Sequence, residues 1–203
     1  KLYNNLMNKN NLLLIGLFLI TVLSFSSCSE STGEVDPYAN WDQRNQSFTD
    51  SIAKVALAND GDEVGDWKTF YSYKLGPLTL GQKGDVNDYV YCKIKSVGNG
   101  VTPLFSDTAY VSYKGMLINS VVFDKTYSGE YNPEIAVPTA LKTGGLVTGF
   151  TTALENMKEG DIWTLYIPSD VGYGSTAYSS IPANSTLIFD VALVKVAKLK
   201  GNK

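Results

Sequence analysis

IPSDVGYG (Ile167 to Gly174), followed a few residues later by IPANSTLIFDVALVKV (Ile181 to Val196), is the stretch on which the fold turns. TLIFDVALVKV alternates in the two-residue rhythm of a half-buried strand, and IWTLYIP just upstream reads as a second strong strand. Working outward, VSYKG (Val111 to Gly115), VVFD (Val121 to Asp124) and LVTGF (Leu146 to Phe150) precede them in order. Each is ordinary alone. Together they supply Tyr113, Phe123, Val147, Phe150, Tyr173, Ile181 and Phe189, a set of aromatic and branched side chains with one carboxylate, Asp124, beside them. A pocket made of such groups holds a small apolar ring in a dry, shaped cavity. It contains no obvious nucleophile.

The neighbouring pattern sets the fold class. YVYCKIKS (Tyr89 to Ser96) and TAYVSYKGMLI (Thr108 to Ile118) alternate as strands, and VGNGVTPLFSD between them is rich in turn formers. Thr148 to Asn156 is the one clear helix here, with Phe150, Ala153, Leu154 and Met157 at helical spacing. One short helix among several antiparallel strands predicts an α+β domain over 85–198, the helix covering one face of the sheet. Upstream, Trp41, Phe48, Ile52 and Val55 recur at spacings of seven, four and three, one face of a helix capped by Asn40 and ended by Asn59-Asp60-Gly61. That helix packs on the domain or on a partner. Trp67 to Leu80 is broken by Gly76-Pro77 and reads as a connector with room for a short strand, so 41–84 forms a helical extension and connector.

Composition narrows the function. The 203 residues carry 17 Lys and Arg against 20 Asp and Glu, a formal charge of −3, without a basic stripe interleaved with aromatics. Phosphate-backbone binding needs clustered cations, so a nucleic-acid partner is not expected. There is no histidine, which removes the commonest general base and metal ligand together. Two distant cysteines do not make a zinc site of the usual kind, so neither a metal nor another cofactor is expected.

The amino terminus reads as an address. Leu12 to Phe25 is an almost unbroken apolar run, shorter than a membrane-spanning helix and followed by small residues, as in a secretory signal that starts at Met7. It ends FSSCSE, which resembles the lipobox of bacterial lipoproteins with Phe25 where leucine is usual. On that reading 1–28 is a lipoprotein signal, Cys28 the lipidation site and 29–40 a polar tether, and the protein is lipid-anchored in a bacterial cell envelope. A plain signal peptide with an incidental cysteine is the alternative. With Cys28 lipidated, Cys92 has no partner and is expected as a small buried residue on a strand.

The order of motifs over about Asp85 to Val196, above all YGSTAYSSIPANSTLIFDVAL and VFD, resembles the FKBP-type peptidyl-prolyl isomerases. The amino-terminal portion looks like the lipoprotein members of that family. The resemblance implies an antiparallel half-barrel wrapped around the short helix, with a proline pocket between sheet and helix. It implies Tyr113 and Phe123 as pocket walls and Asp124 as the rim carboxylate. Leu146 and Val147 precede the helix, where the Val147 N–H faces a ligand carbonyl. Tyr173 offers its hydroxyl to the substrate carbonyl, Ile181 overhangs the pocket and Phe189 lines its back. Asp124 and Tyr173 are the catalytic pair so implied. The implied partners are proline-containing polypeptide clients and, as a pocket ligand, a macrolide-type molecule. Two departures stand out: Gly149-Phe150 replaces the family's usual Gly-Trp floor, and the loop from Gly174 to Pro182 is slightly short, with Ser180 before Ile181. Pro133 to Gly145 departs further, leaving Ile135 or Val137 to stand in for a pocket phenylalanine.

Isomerisation suits this set of side chains. Rotation about a peptide bond is opposed by a resonance barrier of about 18–20 kcal/mol, and no bond need break to cross it. A catalyst has only to favour the twisted amide over the planar one. A binding module that keeps the pocket without useful catalysis is the alternative reading, and an envelope lipoprotein that works through 41–84 is a third. Taken singly, Phe123, Val147, Phe150 and Phe189 also read as plain core.

Overall fold

The computed structural model describes residues 36–199, and Leu12 to Phe25, Cys28 and most of the tether lie outside them. Helix α1 (Trp41–Ala58) is followed by strands β1 (Trp67–Tyr71), β2 (Tyr89–Ser96), β3 (Thr108–Met116), β4 (Val122–Lys125) and β5 (Thr139–Lys142). Helix α2 (Thr148–Leu154), β6 (Ile162–Ile167) and β7 (Leu187–Ala197) complete the order. All seven strands join one sheet in the order β1-β2-β6-β7-β3-β4, with β5 also on β3. Every pairing is antiparallel. This is an α+β fold; the strands read from Tyr89 onward are all observed, and β5 is an additional one that the sequence reading did not find.

β3 organises the pocket side. One edge pairs with β7 from Thr108 to Met116, while the other is shared, with β5 on Thr108 to Val111 and β4 on Lys114 to Met116. Register shifts at Tyr110/Val111 and Gly115/Met116 bend the strand. The sheet thereby wraps α2.

Alternation explains why β2 is buried on both faces. Val90, Cys92 and Ile94 share the main core with Phe150, Ala153 and Leu154 of α2 and with Leu165, Ile167, Phe189 and Val191 of β6 and β7. Tyr89 and Tyr91 point the other way, into a second core where Ala53 and Ala56 of α1 meet Trp67 and Tyr166. The two helices therefore cover opposite faces. Cys92 is fully buried and free, as a small apolar filler, and burial pushes its thiol pKa up.

α1 differs from its sequence reading in two respects. Its buried stripe is Trp41, Asn45, Thr49, Ala53 and Ala56. Phe48 and Ile52 are only half-buried and Val55 is exposed, because the sheet meets the helix one residue round from the apolar stripe. The stripe is half polar because it faces polar partners. Thr186 N–H donates to Asn45 Oδ1 at 2.8 Å, Thr49 and Thr186 hydroxyls lie 2.9 Å apart, and Trp41 Nε1–H donates to Ser185 Oγ at 2.9 Å. Asn40 sits in left-handed backbone and makes no side-chain cap.

The connector contains the short strand for which its sequence left room. Trp67–Tyr71 is a full edge strand on β2, so the sheet begins ahead of Asp85. Among the described residues, Tyr38 to Leu199 belong to one compact unit. Among the described residues no helix is long and apolar enough to cross a membrane.

Candidate active site

A cavity of about 580 Å³ opens between α2, β3, β4, β7 and the loop after β6. Tyr113, Phe123, Asp124, Leu146, Val147, Phe150, Tyr173, Ile181 and Phe189 all line it, so the nine side chains singled out in the sequence share one space. Phe189 is the hub of its wall. Its ring meets Phe150 at 4.9 Å and 84°, Phe123 at 5.4 Å and 86°, and Tyr113 at 6.0 Å. Edge-to-face contacts of this kind set positive ring edges against negative faces and fix the rings mutually. Phe150 forms the buried floor, on the first turn of α2. α2 is in turn tied to the preceding turn by Thr151 Oγ1–H donating to the Thr143 carbonyl at 2.7 Å.

Strand register brings wall and mouth together. Gly115 on β3 stands opposite Asp124 on β4 and opposite Phe189 on β7. A Cβ there would lie 2.5 Å from the Phe123 ring and 2.7 Å from that of Phe189, so the two rings close over a residue that has none. Asp124 is exposed at the mouth. Its Oδ2 accepts the Tyr113 hydroxyl at 2.6 Å and its Oδ1 the Lys125 N–H at 2.8 Å. Burial first, and then the hydrogen bond to Asp124, push the Tyr113 phenol above the ordinary tyrosine range, so it stays protonated and keeps donating.

Val147 leads into α2 from extended backbone, and its carbonyl accepts the N–H groups of Phe150 and Thr151. Its own N–H has no partner among the described residues, as expected of a donor at a helix start. The Tyr173 hydroxyl likewise has none. Tyr173 follows a short turn, Ser169–Val171, tied down where Gly174 N–H donates to the Ser169 carbonyl at 2.8 Å. Burial raises the Tyr173 pKa, with Tyr178 and Asp124 contributing.

Sequence reasoning missed Leu141, Gly145, Tyr178, Ser179 and Ser180, which also line the cavity. Ile135 and Val137 do not line it; both are 77% exposed. They lie beyond a turn built on Asn132, whose Oδ1 accepts the Glu134 N–H, while Leu141 enters the wall from β5. β5 has only four residues, too few for alternation to reveal it. Tyr178 carried a signal that went unused, an aromatic among small polar loop residues. Among the described residues no cluster of three metal-ligating side chains occurs. The site's resources are aromatic walls, one carboxylate and several donors without a partner among the described residues, among them the Val147 N–H and the Tyr173 and Tyr178 hydroxyls.

Residues 101–194 match the family described as FKBP-type peptidyl-prolyl cis-trans isomerase. The chain is 38% identical over 117 residues to the FKBP-type peptidyl-prolyl cis-trans isomerase FkpA of Escherichia coli (strain K12), covering 57% of this chain and 40% of that protein. It is 36% identical over 107 residues to the peptidyl-prolyl cis-trans isomerase Mip of Coxiella burnetii, covering 52% and 44%. The chain thus spans about two-fifths of the length of these relatives. The crystal structure of E. coli FkpA superposes with a TM-score of 0.55 at 25% identity, over 94% of this chain and 82% of that one. A peptidyl-prolyl isomerase structure from Pseudomonas syringae shares the fold, with a TM-score of 0.55 at 21% identity over 82% of this chain and all of that one.

Proposed function

We propose that this chain, which carries a domain of the FKBP-type peptidyl-prolyl isomerase family, is itself a prolyl isomerase acting on exported polypeptides. The observation that carries the reading is a cavity walled by Phe123, Phe150, Phe189 and Tyr113, with one carboxylate at its mouth and the unpartnered Val147 N–H and Tyr173 hydroxyl beside it. A proline ring seated there leaves water. As the amide twists, its nitrogen becomes pyramidal and conjugation falls, and an apolar, desolvated site favours that less polar geometry over the planar one. The Val147 N–H and the Tyr173 hydroxyl orient the carbonyl. Asp124 holds the Tyr113 phenol and shapes the field at the mouth. Asp124 and Tyr173 act on the amide, and the other seven side chains bind the substrate. A macrolide-type ring would compete for the same cavity. The test is isomerisation of a panel of X–Pro peptides by the full chain with Tyr173→Phe alongside. Acceleration that the variant loses supports the reading; a folded, inactive wild type overturns it.

Phe150 favours a second reading, a binding module with weak catalysis, because a phenylalanine floor has less area than an indole and no N–H. Under that reading Phe150→Trp raises turnover severalfold while the wild type binds proline peptides without accelerating them.

The domain is the exported part of a lipoprotein. Residues 1–28 form the leader, Cys28 carries the lipid and 29–40 tether the body to a bacterial envelope membrane. The apolar run from Leu12 to Phe25 and the FSSC junction support this, as does a relative named outer membrane protein MIP in Legionella longbeachae, 36% identical over 107 residues. Labelled palmitate should enter the wild type and not Cys28→Ala.

A further inference from the structure

We propose that Tyr178 is a positioning residue for Tyr173, holding that phenol at the mouth of the pocket through a parallel ring stack; this role rests on the isomerase reading above. Three phenols line the cavity, those of Tyr113, Tyr173 and Tyr178. The Tyr113 hydroxyl is committed to Asp124 at 2.6 Å, whereas the Tyr173 and Tyr178 hydroxyls have no partner among the described residues. Tyr178 is mostly exposed, and Tyr173, half-buried at the mouth, is the phenol placed to donate to a substrate carbonyl. A donor contributes to the rate when it already stands where the carbonyl will need it.

No hydrogen bond fixes Tyr173, so its ring must be held by packing. Gly172 and Gly174 flank it and bring no side chain to its support. Tyr173 packs against the main core, and Tyr178 adds a ring contact to it: the two rings lie 4.3 Å apart between centroids and within 7° of parallel.

Tyr178 is itself anchored. Tyr178 and Ile181 exchange both backbone N–H···O bonds at 2.9 Å, closing a hairpin whose turn places Ser179 at φ 53°. Ile181 plugs into the core at 4% exposure. The base of the loop is closed where Asn184 N–H donates to the Gly174 carbonyl at 2.9 Å. Tyr178 is 56% exposed, so its removal empties no core. Its outer ring face adds little to stability, and its inner face restrains Tyr173.

The experiment compares the full-length wild type with Tyr178→Ala, Tyr178→Phe, Tyr173→Phe and Tyr173→Phe/Tyr178→Ala, reading kcat and KM for a proline tetrapeptide. Ring pairs of this kind are worth roughly two- to twelvefold in an equilibrium. Tyr178→Ala is expected to lower kcat/KM by a factor in that range, mostly through kcat. Tyr178→Phe keeps the stack and should stay within about twofold of wild type, by the same argument. In the Tyr173→Phe background the alanine change should cost less than about twofold, since the hydroxyl it positions is gone. Equal losses in both backgrounds would mean that Tyr178 acts on the substrate or the loop directly, and would overturn the role. So would full activity of Tyr178→Ala. The Tyr173 ring-proton resonances, read in the same samples, should move toward unstacked values in Tyr178→Ala and not in Tyr178→Phe. An inactive wild type overturns the isomerase reading and this role with it. An active wild type whose Tyr173 resonances ignore Tyr178→Ala overturns the positioning role alone.

Discussion

Replacing Asn45 with alanine removes a side chain that is only 2% exposed and that joins α1 to the segment just before β7. Its Oδ1 accepts the Thr186 N–H at 2.8 Å, and its Nδ2–H donates to the Trp41 carbonyl at 2.8 Å. Thr186 is also 2% exposed, so its N–H would be left without a partner away from water. Two net hydrogen bonds at about 1 kcal/mol each and an orphaned donor at about 1–3 kcal/mol oppose the change. Alanine recovers roughly half a kcal/mol of helix propensity. The expected destabilisation is about 2.5–4.5 kcal/mol, which for a body of this size lowers Tm by roughly 5–18 °C. Urea unfolding gives the free energy, and amide exchange at Thr186 should rise in step. The consequence reaches the pocket, because the neighbouring Ser185 accepts from Trp41 Nε1–H and donates to the Pro182 carbonyl at 2.6 Å, one residue after Ile181. A loss under about half a kcal/mol at unchanged m value, with Thr186 exchange unaltered, would refute the account of α1 as a strut for this loop.

Three further outcomes are expected. Asp124→Val frees the Tyr113 hydroxyl at an exposed position, so kcat/KM for a proline peptide should fall roughly three- to tenfold while Tm stays near wild type. Gly115→Ala pushes on the rings of Phe123 and Phe189, costing about 1–3 kcal/mol in a urea titration and weakening proline-peptide binding measured by calorimetry. The N–H groups of Leu104 and Leu199 hold the Asp107 carboxyl below the ordinary carboxylate range. Because the folded state binds that proton less readily than the unfolded chain, the stabilisation is present above the unfolded pKa of about 3.9 and is lost as pH falls through the lower folded value. Stability measured from pH 7 downward should therefore show a shallower acid limb in Asp107→Asn.

The sequence by itself determined everything whose cause is local. Alternation in Tyr89–Ser96 and in the strands that became β3, β6 and β7 depends only on each strand having an inner and an outer face, and it located them. Helical spacing of Phe150, Ala153 and Leu154 likewise found α2, which is buried at every residue from Gly149 to Leu154. Motif order, and the family resemblance it carries, named nine side chains that share one cavity. The tertiary structure alone decided what depends on a distant partner. Asn45 and Thr49 form the inner face of α1 because Thr186, far along the chain, offers the matching N–H and hydroxyl; by hydropathy Phe48, Ile52 and Val55 were the better candidates. Trp67–Tyr71 is a strand because the β2 edge lay open to it. Leu141 enters the pocket and Ile135 does not because β3 has a free edge only at Thr108 to Val111 for β5 to take. Tyr178 reaches Tyr173 because a hairpin turn at Ser179 folds the loop back on itself. Periodicity reports which way a residue faces, and contact between distant segments determines what it meets there.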